Sequence, residues 1–452
     1  MSRLVSTPWL SVTLEFLRAL TDLLLLPWRA LAYSLERESE VEELRAALSE
    51  DPRPDLAPDL GHWPDRPLIV LIACAEASGE HHALSLLHEL RAAAQTAGAP
   101  PPRVLGFGGT RLAAAGVELL GNPVERAAMG FQGVIGALPF YLRLLTAAAR
   151  AFRDVRPDVF IPVDSPALHV PMAHLAQRAE VRVAHFITPQ YWGWAPWRVN
   201  GYRRAVDLAL TILPFEPSWF TKRGVRVRHV GHPIQDHLAG VPVGDAPQDG
   251  PLVILPGSRR GVIRRNLPWM LEVAAHATDA SRAIEVLQAD DEHADLIDAA
   301  ITEAGLSDRA ALRRGELHER LRGARAAFSV SGTVLLELLH HRLPTVVLYK
   351  LESRRVAWMG RNFLTAPWFS SINLLANREV VPEFSFCGDG PREEVGCALR
   401  SALEDDRARA VTRLGLDYAA RRLGPAGAAG RAARESLALA LESTSTAPGS
   451  RT

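Results

Sequence analysis

Cysteine is scarce: the 452 residues hold three, Cys74, Cys387 and Cys397, with no paired metal-ligand spacing and no disulfide framework. Such usage fits a reducing cytoplasm. An excess of either charge is missing too. Lys and Arg total 51, Asp and Glu total 51, and the formal net charge is +0. No global pull toward nucleic acid follows, so any anion site must be local. The chain also lacks an uninterrupted apolar span of the ~20 residues that cross a bilayer, and it lacks the GxxxxGK[ST] spacing of a Walker phosphate loop, which argues against ATP-type chemistry.

What is present describes a well-packed globular protein, with 48% hydrophobic and 23% charged residues. The length exceeds one ordinary core and implies two domains plus an extension. The extension covers residues 1–65. From Trp9 to Tyr33 apolar residues recur at helical spacing, interrupted by Glu15, Arg18, Asp22 and Arg29. Those charges suit a bilayer centre badly. The segment reads either as an amphipathic interfacial helix with Trp9 and Trp28 as anchors, or as a helix docked on the protein's own core. An acidic stretch from Glu36 and a Pro-rich linker from Asp51 to Asp65 follow.

Strand–helix alternation starts with Pro67 to Ala73, PLIVLIA, a continuous apolar run typical of a parallel strand buried on both faces. A short loop carrying Ser78 and Gly79 and a helix from Ala83 to Ala94 complete the first unit of a doubly wound sheet, whose ligands bind at strand carboxyl ends. Glu76 and Glu80 fall at that end, although Glu80 could equally favour the positive end of the helix. Val104 to Thr110 repeats the design with tight-turn glycines. Asp158 to Val163 is the next strand, and Asp164-Ser165-Pro166-Ala167-Leu168-His169 follows it. Asp164 and His169 are candidates for the base that takes a proton from an acceptor hydroxyl; helix N-capping is the other reading of Asp164. The stretch from His185 to Pro233 crowds Tyr191, Trp192, Trp194 and Trp197 beside Arg198, Arg203 and Arg204. It reads as stacking and phosphate pairing for a sugar nucleotide, or as an aromatic core corner with a solvated basic face.

A loop rich in Gly, Pro and Asp from Gly240 to Gly250 separates two runs of βα units, which predicts two α/β domains, 66–240 and 241–442, with a cleft between them and a disordered tail at 443–452. Leu252 to Leu255 leads into Pro256-Gly257-Ser258-Arg259-Arg260-Gly261, where backbone N–H groups and the Arg259 guanidinium would cradle phosphate. Ala326 to Val330 ends at Ser331-Gly332-Thr333 and opens a helix. Glu337 lies about one turn in, able to accept from ribose hydroxyls; ordinary N-capping is the alternative for Ser331. Asn373, Asn377, Arg378 and Glu379 read as a binding loop.

In their order these residues resemble the lipid-A-disaccharide synthases, inverting glycosyltransferases of the GT-B fold. The carriers are Glu76-Ala77-Ser78-Gly79, Gly108-Gly109, Met129-Gly130, Pro157 to Phe160, His185 to Trp194, Leu213 to Glu216, Val230 to Pro233, Leu255 to Arg259, Ser331-Gly332-Thr333 with Glu337, and Asn373 to Ala376 with Arg378-Glu379. The resemblance implies two Rossmann-like domains facing a cleft. It implies transfer of a diacylated glucosamine from UDP to a diacylated glucosamine 1-phosphate, giving a β-1,6-linked disaccharide and UDP. No metal and no cofactor beyond the UDP-sugar donor are implied, because Arg and helix N-termini stabilise the leaving UDP. The implied place is the cytoplasmic surface of the bacterial inner membrane, as a peripheral protein without nucleic-acid partners. By the same resemblance Arg259, Ser331, Gly332, Thr333, Glu337 and Asn373 hold UDP, with Arg378 and Glu379 beside them. Glu76, Ser78 and Gly79 face the acceptor, and Trp192 and Arg198 belong to the substrate cleft.

The acceptor side departs from the family pattern. Glu80 stands for the usual Asp, Gly133 for the usual Glu, and the Asp-x-Pro-Asp-Phe-Asn pattern keeps its first Asp as Asp164 but has Ala167 and His169 for the second Asp and the Asn. A carboxylate near Val262 is also missing. Either Asp164 works without its usual neighbours, helped by His169, or the chain serves a different acceptor or has lost activity.

Overall fold

The computed structural model describes residues 7–61, 63–128, 134–288 and 292–445. The Met129-Gly130 pair, Gly133 and residues 446–452 of the expected tail lie outside them. The chain forms two compact units, one built from the residues up to Asp236 and again from Pro425, the other from His237–Gly424.

The first unit holds seven strands: β1 (Ile69–Ala73), β2 (Arg103–Phe107), β3 (Glu118–Gly121), β4 (Val159–Pro162), β5 (Arg182–Phe186), β6 (Leu208–Thr211) and β7 (Val227–His229). They pair in parallel in the order β3-β2-β1-β4-β5-β6-β7. The runs IVLIA and VFIP are buried almost throughout, as parallel strands covered on both faces require. The second unit repeats the plan with β8 (Leu252–Leu255), β9 (Ile284–Gln288), β10 (Ala310–Arg314), β11 (Ala326–Val330), β12 (Thr345–Lys350) and β13 (Glu383–Phe386), ordered β10-β9-β8-β11-β12-β13. Its core gathers Ile254, Leu267, Met270, Val286, Phe328 and Leu348. In both sheets the winding direction reverses at one place, between β1 and β4 and between β8 and β11. The carboxyl ends of strands at such a reversal are where doubly wound sheets take ligands.

Three expectations change. The helix after β1 runs Ala77–Thr96, with the extended residue Glu76 at its N-cap. Ser78 and Gly79 therefore stand in its first turn and not in a loop. The N-terminal extension is two helices, Pro8–Leu24 and Leu26–Leu48; Pro27 fits only a first turn, so a second helix starts there. It turns Ser11, Val12, Glu15 and Tyr33 inward. Buried Glu15 accepts from Arg178 at 3.2 Å and from Arg18 Nε at 2.8 Å, and Glu40 and Glu43 take Arg223 at 2.6 and 2.8 Å. The outward side is apolar: Trp9 and Trp28 are 69% and 71% exposed, with Phe16, Leu20, Leu24 and Leu31 beside them.

The third change concerns residues 425–442, which join the first unit and not the second. The helix Ala428–Ser445 packs on the Ala77–Thr96 helix and on β5, burying Ala432, Ala433, Leu437 and Ala440. The Asp236 carboxylate caps its start, accepting from Gly427 N, from Ala428 N at 3.1 Å and from Ala429 N at 2.9 Å. The helix also covers part of the residues expected to be a disordered tail, through Ser445.

Candidate active site

Two strand ends frame the site of the first unit. After β1 the chain passes Cys74 and Ala75 to Glu76, and Glu76 and Ser78 are exposed there. Gly79 is buried, and a side chain on it would meet the Val163 carbonyl at 3.7 Å, so the helix start lies close against the end of β4. Cys74 is buried, and burial followed by the Glu80 charge pushes its thiol up to about 12, so it stays protonated. Glu80 is buried and accepts from Leu112 N at 3.0 Å. A Cβ on Gly109 would sit 2.7 Å from both carboxylate oxygens, which is why glycine is needed there. Glu80 thus ties two helices together.

After β4, Asp164 and Ser165 take left-handed backbone conformations, with φ of 55° and 47°. Non-glycine residues there carry strain that the surroundings must hold. The helix that follows has Ser165 as its N-cap without a side-chain cap hydrogen bond, so Asp164 does not cap it. Two buried histidines fix the peptide: His169 Nδ1–H donates to the Asp164 carbonyl at 2.6 Å and His185 Nε2–H donates to the same oxygen at 3.1 Å. Both acceptor positions of that oxygen are filled. The remaining ring nitrogens, His169 Nε2 and His185 Nδ1, are buried without a partner among the described residues. Burial holds His169 down to about 4 and His185 to about 3, and the contact with Asp164 opposes it; both rings are neutral near pH 7. His169 is fully buried, which corrects its expected place as a base facing substrate. What it touches is the Asp164 main-chain oxygen.

The Asp164 carboxyl itself is half-buried, with no cation paired to it among the described residues. Burial raises its pKa most; the Ser165 N–H opposes this and the Glu76 charge adds to it. A carboxylate raised in this way is better matched to taking a proton from a hydroxyl.

The aromatic stretch divides. Trp192 is buried and its Nε1–H donates to Glu216 at 3.0 Å; its ring meets Phe215 edge-on at 4.8 Å. Glu216 also accepts from Ile212 N and Leu213 N at 2.9 Å each, and burial pushes it up to about 7 against those hydrogen bonds. A buried indole N–H needs such a partner, so Trp192 is a core residue and not a ligand contact. Arg198 lies over the rings of Tyr191 and Trp194 at 5.0 and 5.3 Å, and Trp194 is exposed.

In the second unit the reversal between β8 and β11 opens a pocket of about 620 Å³, walled by Gly257, Arg259, Glu316, Ser331, Thr333 and Glu337 among others. Gly257 has φ 102°, and a Cβ there would meet Val262 at 2.8 Å. Arg259 is exposed, unpaired among the described residues, and the extended N-cap of the helix Arg260–Ala277, which no side chain caps. Ser331 Oγ donates to the Phe369 carbonyl at 3.0 Å and does not cap the Val334–His340 helix. Gly332 shares the wall. Glu337 Oε2 is buried without a partner among the described residues, and burial raises its carboxyl to about 7.

The expected loop residues fall elsewhere. Asn373 is fully buried, accepts from Val380 N at 2.8 Å and Val381 N at 3.0 Å, and donates to the Val381 carbonyl at 2.8 Å and Glu383 at 3.0 Å. Its amide is spent on the loop, so it is not a nucleotide contact in this structure. Arg378 lies over Tyr418 at 5.3 Å and Glu379 is exposed; neither lines the pocket. Gln288 and Glu316 do line it, and neither stands in a motif of the sequence. Their signal is position alone, since each follows or ends a parallel strand at its carboxyl end.

A family model described as lipid-A-disaccharide synthetase matches residues 69–413. The lipid-A-disaccharide synthase of Myxococcus xanthus is 35% identical over 378 residues, covering 82% of this chain and 97% of that protein. Its counterpart in Azotobacter vinelandii is 33% identical over 330 residues, covering 70% and 84%. Among solved structures, the S. aureus MnaA–UDP co-structure superposes with a TM-score of 0.54 at 13% identity, covering 80% of this chain and 94% of that one. A UDP-N-acetylglucosamine 2-epimerase gives 0.50 at 12%, covering 82% and 94%. These two likenesses speak to the fold, two parallel-sheet units of the GT-B type. The family match runs from the first residue of β1 through both strand reversals, and the chain belongs to the lipid-A-disaccharide synthetase family.

Proposed function

We propose that the chain transfers 2,3-diacylglucosamine from UDP to the 6-hydroxyl of 2,3-diacylglucosamine 1-phosphate, with Asp164 as the general base and Arg259 as the phosphate clamp. Family membership carries the reaction class: the chain is a hexosyl-transferring enzyme of lipid A disaccharide synthesis. The observation that carries the residue assignment is Asp164, a residue of strained backbone at the reversal of the first sheet whose carboxylate has no cation partner among the described residues, its main chain pinned by two neutral imidazoles.

In this reading Asp164 takes the hydroxyl proton as the acceptor oxygen attacks the anomeric carbon and the bond to UDP breaks. The Arg259 guanidinium and the backbone N–H groups around Gly257 and Ser331 to Thr333 receive the charge that develops on UDP. Glu337 accepts from the ribose hydroxyls. Glu76 and Ser78 face the acceptor, and Arg198, braced by Tyr191 and Trp194, meets its phosphate.

The setting follows from the substrates. Both carry acyl chains, so the enzyme works on the cytoplasmic surface of the inner membrane. The apolar outward side of the N-terminal helices supports this. Among the described residues no helix is long and apolar enough to cross a membrane.

The test is Asp164→Asn, assayed with both acylated substrates dispersed in detergent. A general base contributes about 10²–10⁴-fold, so the rate should fall by that factor while UDP affinity stays unchanged. A variant with wild-type turnover would sink the assignment.

A further inference from the structure

One segment of the second unit, between β12 and the helix Ser371–Ala376, carries chemistry that the transfer reaction does not use. Its helix, Arg354–Phe363, reads RRVAWMGRNF, and Ser353 Oγ caps it by accepting from Val356 N at 3.3 Å. Not one of its residues is buried. Val356, Trp358 and Met359 stand 41%, 62% and 56% exposed. At the two ends of the segment Tyr349 and Phe369, both exposed, stack with ring centroids 5.9 Å apart and planes 4° apart. A surface helix of a globular protein ordinarily hides one apolar stripe in the core. This helix hides none.

Its charge is one-sided. Arg354, Arg355 and Arg361 are exposed and form no ion pair or side-chain hydrogen bond among the described residues. The helix contains no Asp or Glu, and the neighbouring Glu352 is already engaged by Arg265. Three free guanidiniums interleaved with Val, Trp and Met select an occupant that is both anionic and apolar. A second copy docked helix to helix by two-fold symmetry would oppose three unpaired arginines with three more, and like charges across an interface repel. An anionic lipid surface answers both features: the guanidiniums reach the phosphates while their stems, Trp358 and Met359 enter the interfacial layer.

The segment is also tied to the donor pocket, because Phe369 gives its carbonyl to Ser331 Oγ at 3.0 Å. We propose that the helix Arg354–Phe363 is an anionic-lipid docking element that seats the donor-binding unit on the bilayer surface beside its pocket. The proposal rests on the reading of the donor as an acylated sugar nucleotide.

The experiment is vesicle flotation of the full chain. It compares phosphatidylglycerol–phosphatidylethanolamine vesicles with pure phosphatidylcholine vesicles at about 0.1 M and 0.5 M salt, a range over which surface charges become screened. The variants are Arg354→Glu/Arg355→Glu/Arg361→Glu and Trp358→Ser/Met359→Ser. The wild type should partition at least tenfold more onto the anionic vesicles at low salt and lose that preference at high salt. The charge-reversed variant should drop to its level on phosphatidylcholine, and the serine variant should lose at least fivefold.

UDP affinity and turnover on detergent-dispersed substrates should match wild type in both variants, which shows that they are folded and tests the transferase reading separately. Undiminished binding of the charge-reversed variant to anionic vesicles overturns the proposal. So does a change in oligomeric state by sedimentation, with vesicle binding intact, which would assign the face to a second copy. Failure of turnover in the wild type would instead strike the transferase reading and leave the flotation result standing.

Discussion

His169 Nδ1–H donates to the main-chain oxygen of Asp164 at 2.6 Å, so an imidazole on the helix Pro166–Arg178 that follows β4 supports the carboxylate residue through its backbone. The family pattern has Asn at this position, and a side-chain amide is also a donor. The departure at His169 is therefore one in which a donor replaces a donor.

Removing that donor should loosen the strained turn. His169→Ala leaves an acceptor in a buried place with one partner fewer, and should lower stability by about 1–3 kcal/mol and turnover by tenfold or more. KM for the UDP-sugar should hold, since the donor pocket lies in the other unit. His169→Asn should recover part of the turnover. Steady-state kinetics and chemical melts on the three proteins read this out, and turnover unaffected in the alanine variant removes the positioning role.

Acid should destabilise the first unit in a defined window. Burial lowers His169 and His174 to about 4 and His185 and His232 to about 3, while the unfolded chain titrates near 6.5. Below about 6.5 the unfolded state binds protons that the folded state refuses, so stability is complete above that pH and is lost as pH falls toward 4. Each histidine can add a slope of up to about 1.4 kcal/mol per pH unit. Glu216, raised to about 7 in the same unit, opposes part of this loss, but four histidines outweigh it, so thermal midpoints recorded from pH 7.5 to 4.5 should fall, and the fall should be shallower in His232→Gln; a slope unchanged in that variant contradicts the buried neutral state of His232.

The donor pocket makes its own pH prediction. Glu337 is raised to about 7 by burial, and its role as an acceptor for ribose hydroxyls needs the ionised form. UDP affinity should therefore climb as pH rises through about 7, and titration calorimetry should show protons released on binding. Glu337→Gln should flatten the component of the profile that belongs to the enzyme. Arg259→Ala should weaken UDP about tenfold or more at every pH, the size of a lost charge-assisted contact. Unchanged UDP affinity in both variants would falsify the placement of the nucleotide.

Trp192 separates packing from recognition. Trp192→Phe keeps a ring but strips Glu216 of its indole donor, with an expected loss of about 1–3 kcal/mol in stability and no change in UDP affinity. Weaker substrate binding with stability intact would return Trp192 to the cleft.

The strand ends at Glu76, Asp164, Gly257 and Ser331 were legible because an unbroken apolar run followed by small, turn-forming or charged residues has few other readings. Trp192 and Asn373 were misplaced for a common reason. Both are polar-capable side chains in motif positions, and sequence does not reveal whether an indole N–H or an amide finds its partner in a ligand or in the nearby backbone. The strand β10, AALRR, is not legible, because an edge strand with two arginines shows no apolar run, and Glu316 just after it carries no sequence signal of its own. The return of residues 425–445 was not legible at all, because it depends on Asp236 meeting Gly427 to Ala429 across 190 residues or so of intervening chain.

That return also sets an order of birth. The C-terminal helix buries apolar side chains within the first unit, so this unit is discontinuous and cannot complete itself when its own first 236 residues have left the ribosome. At roughly 5–20 residues per second, the intervening unit takes about 10–40 s to be made. During that interval the inserted unit can fold while the earlier one waits with the surface meant for its last helix still open, a window in which a chaperone would find it.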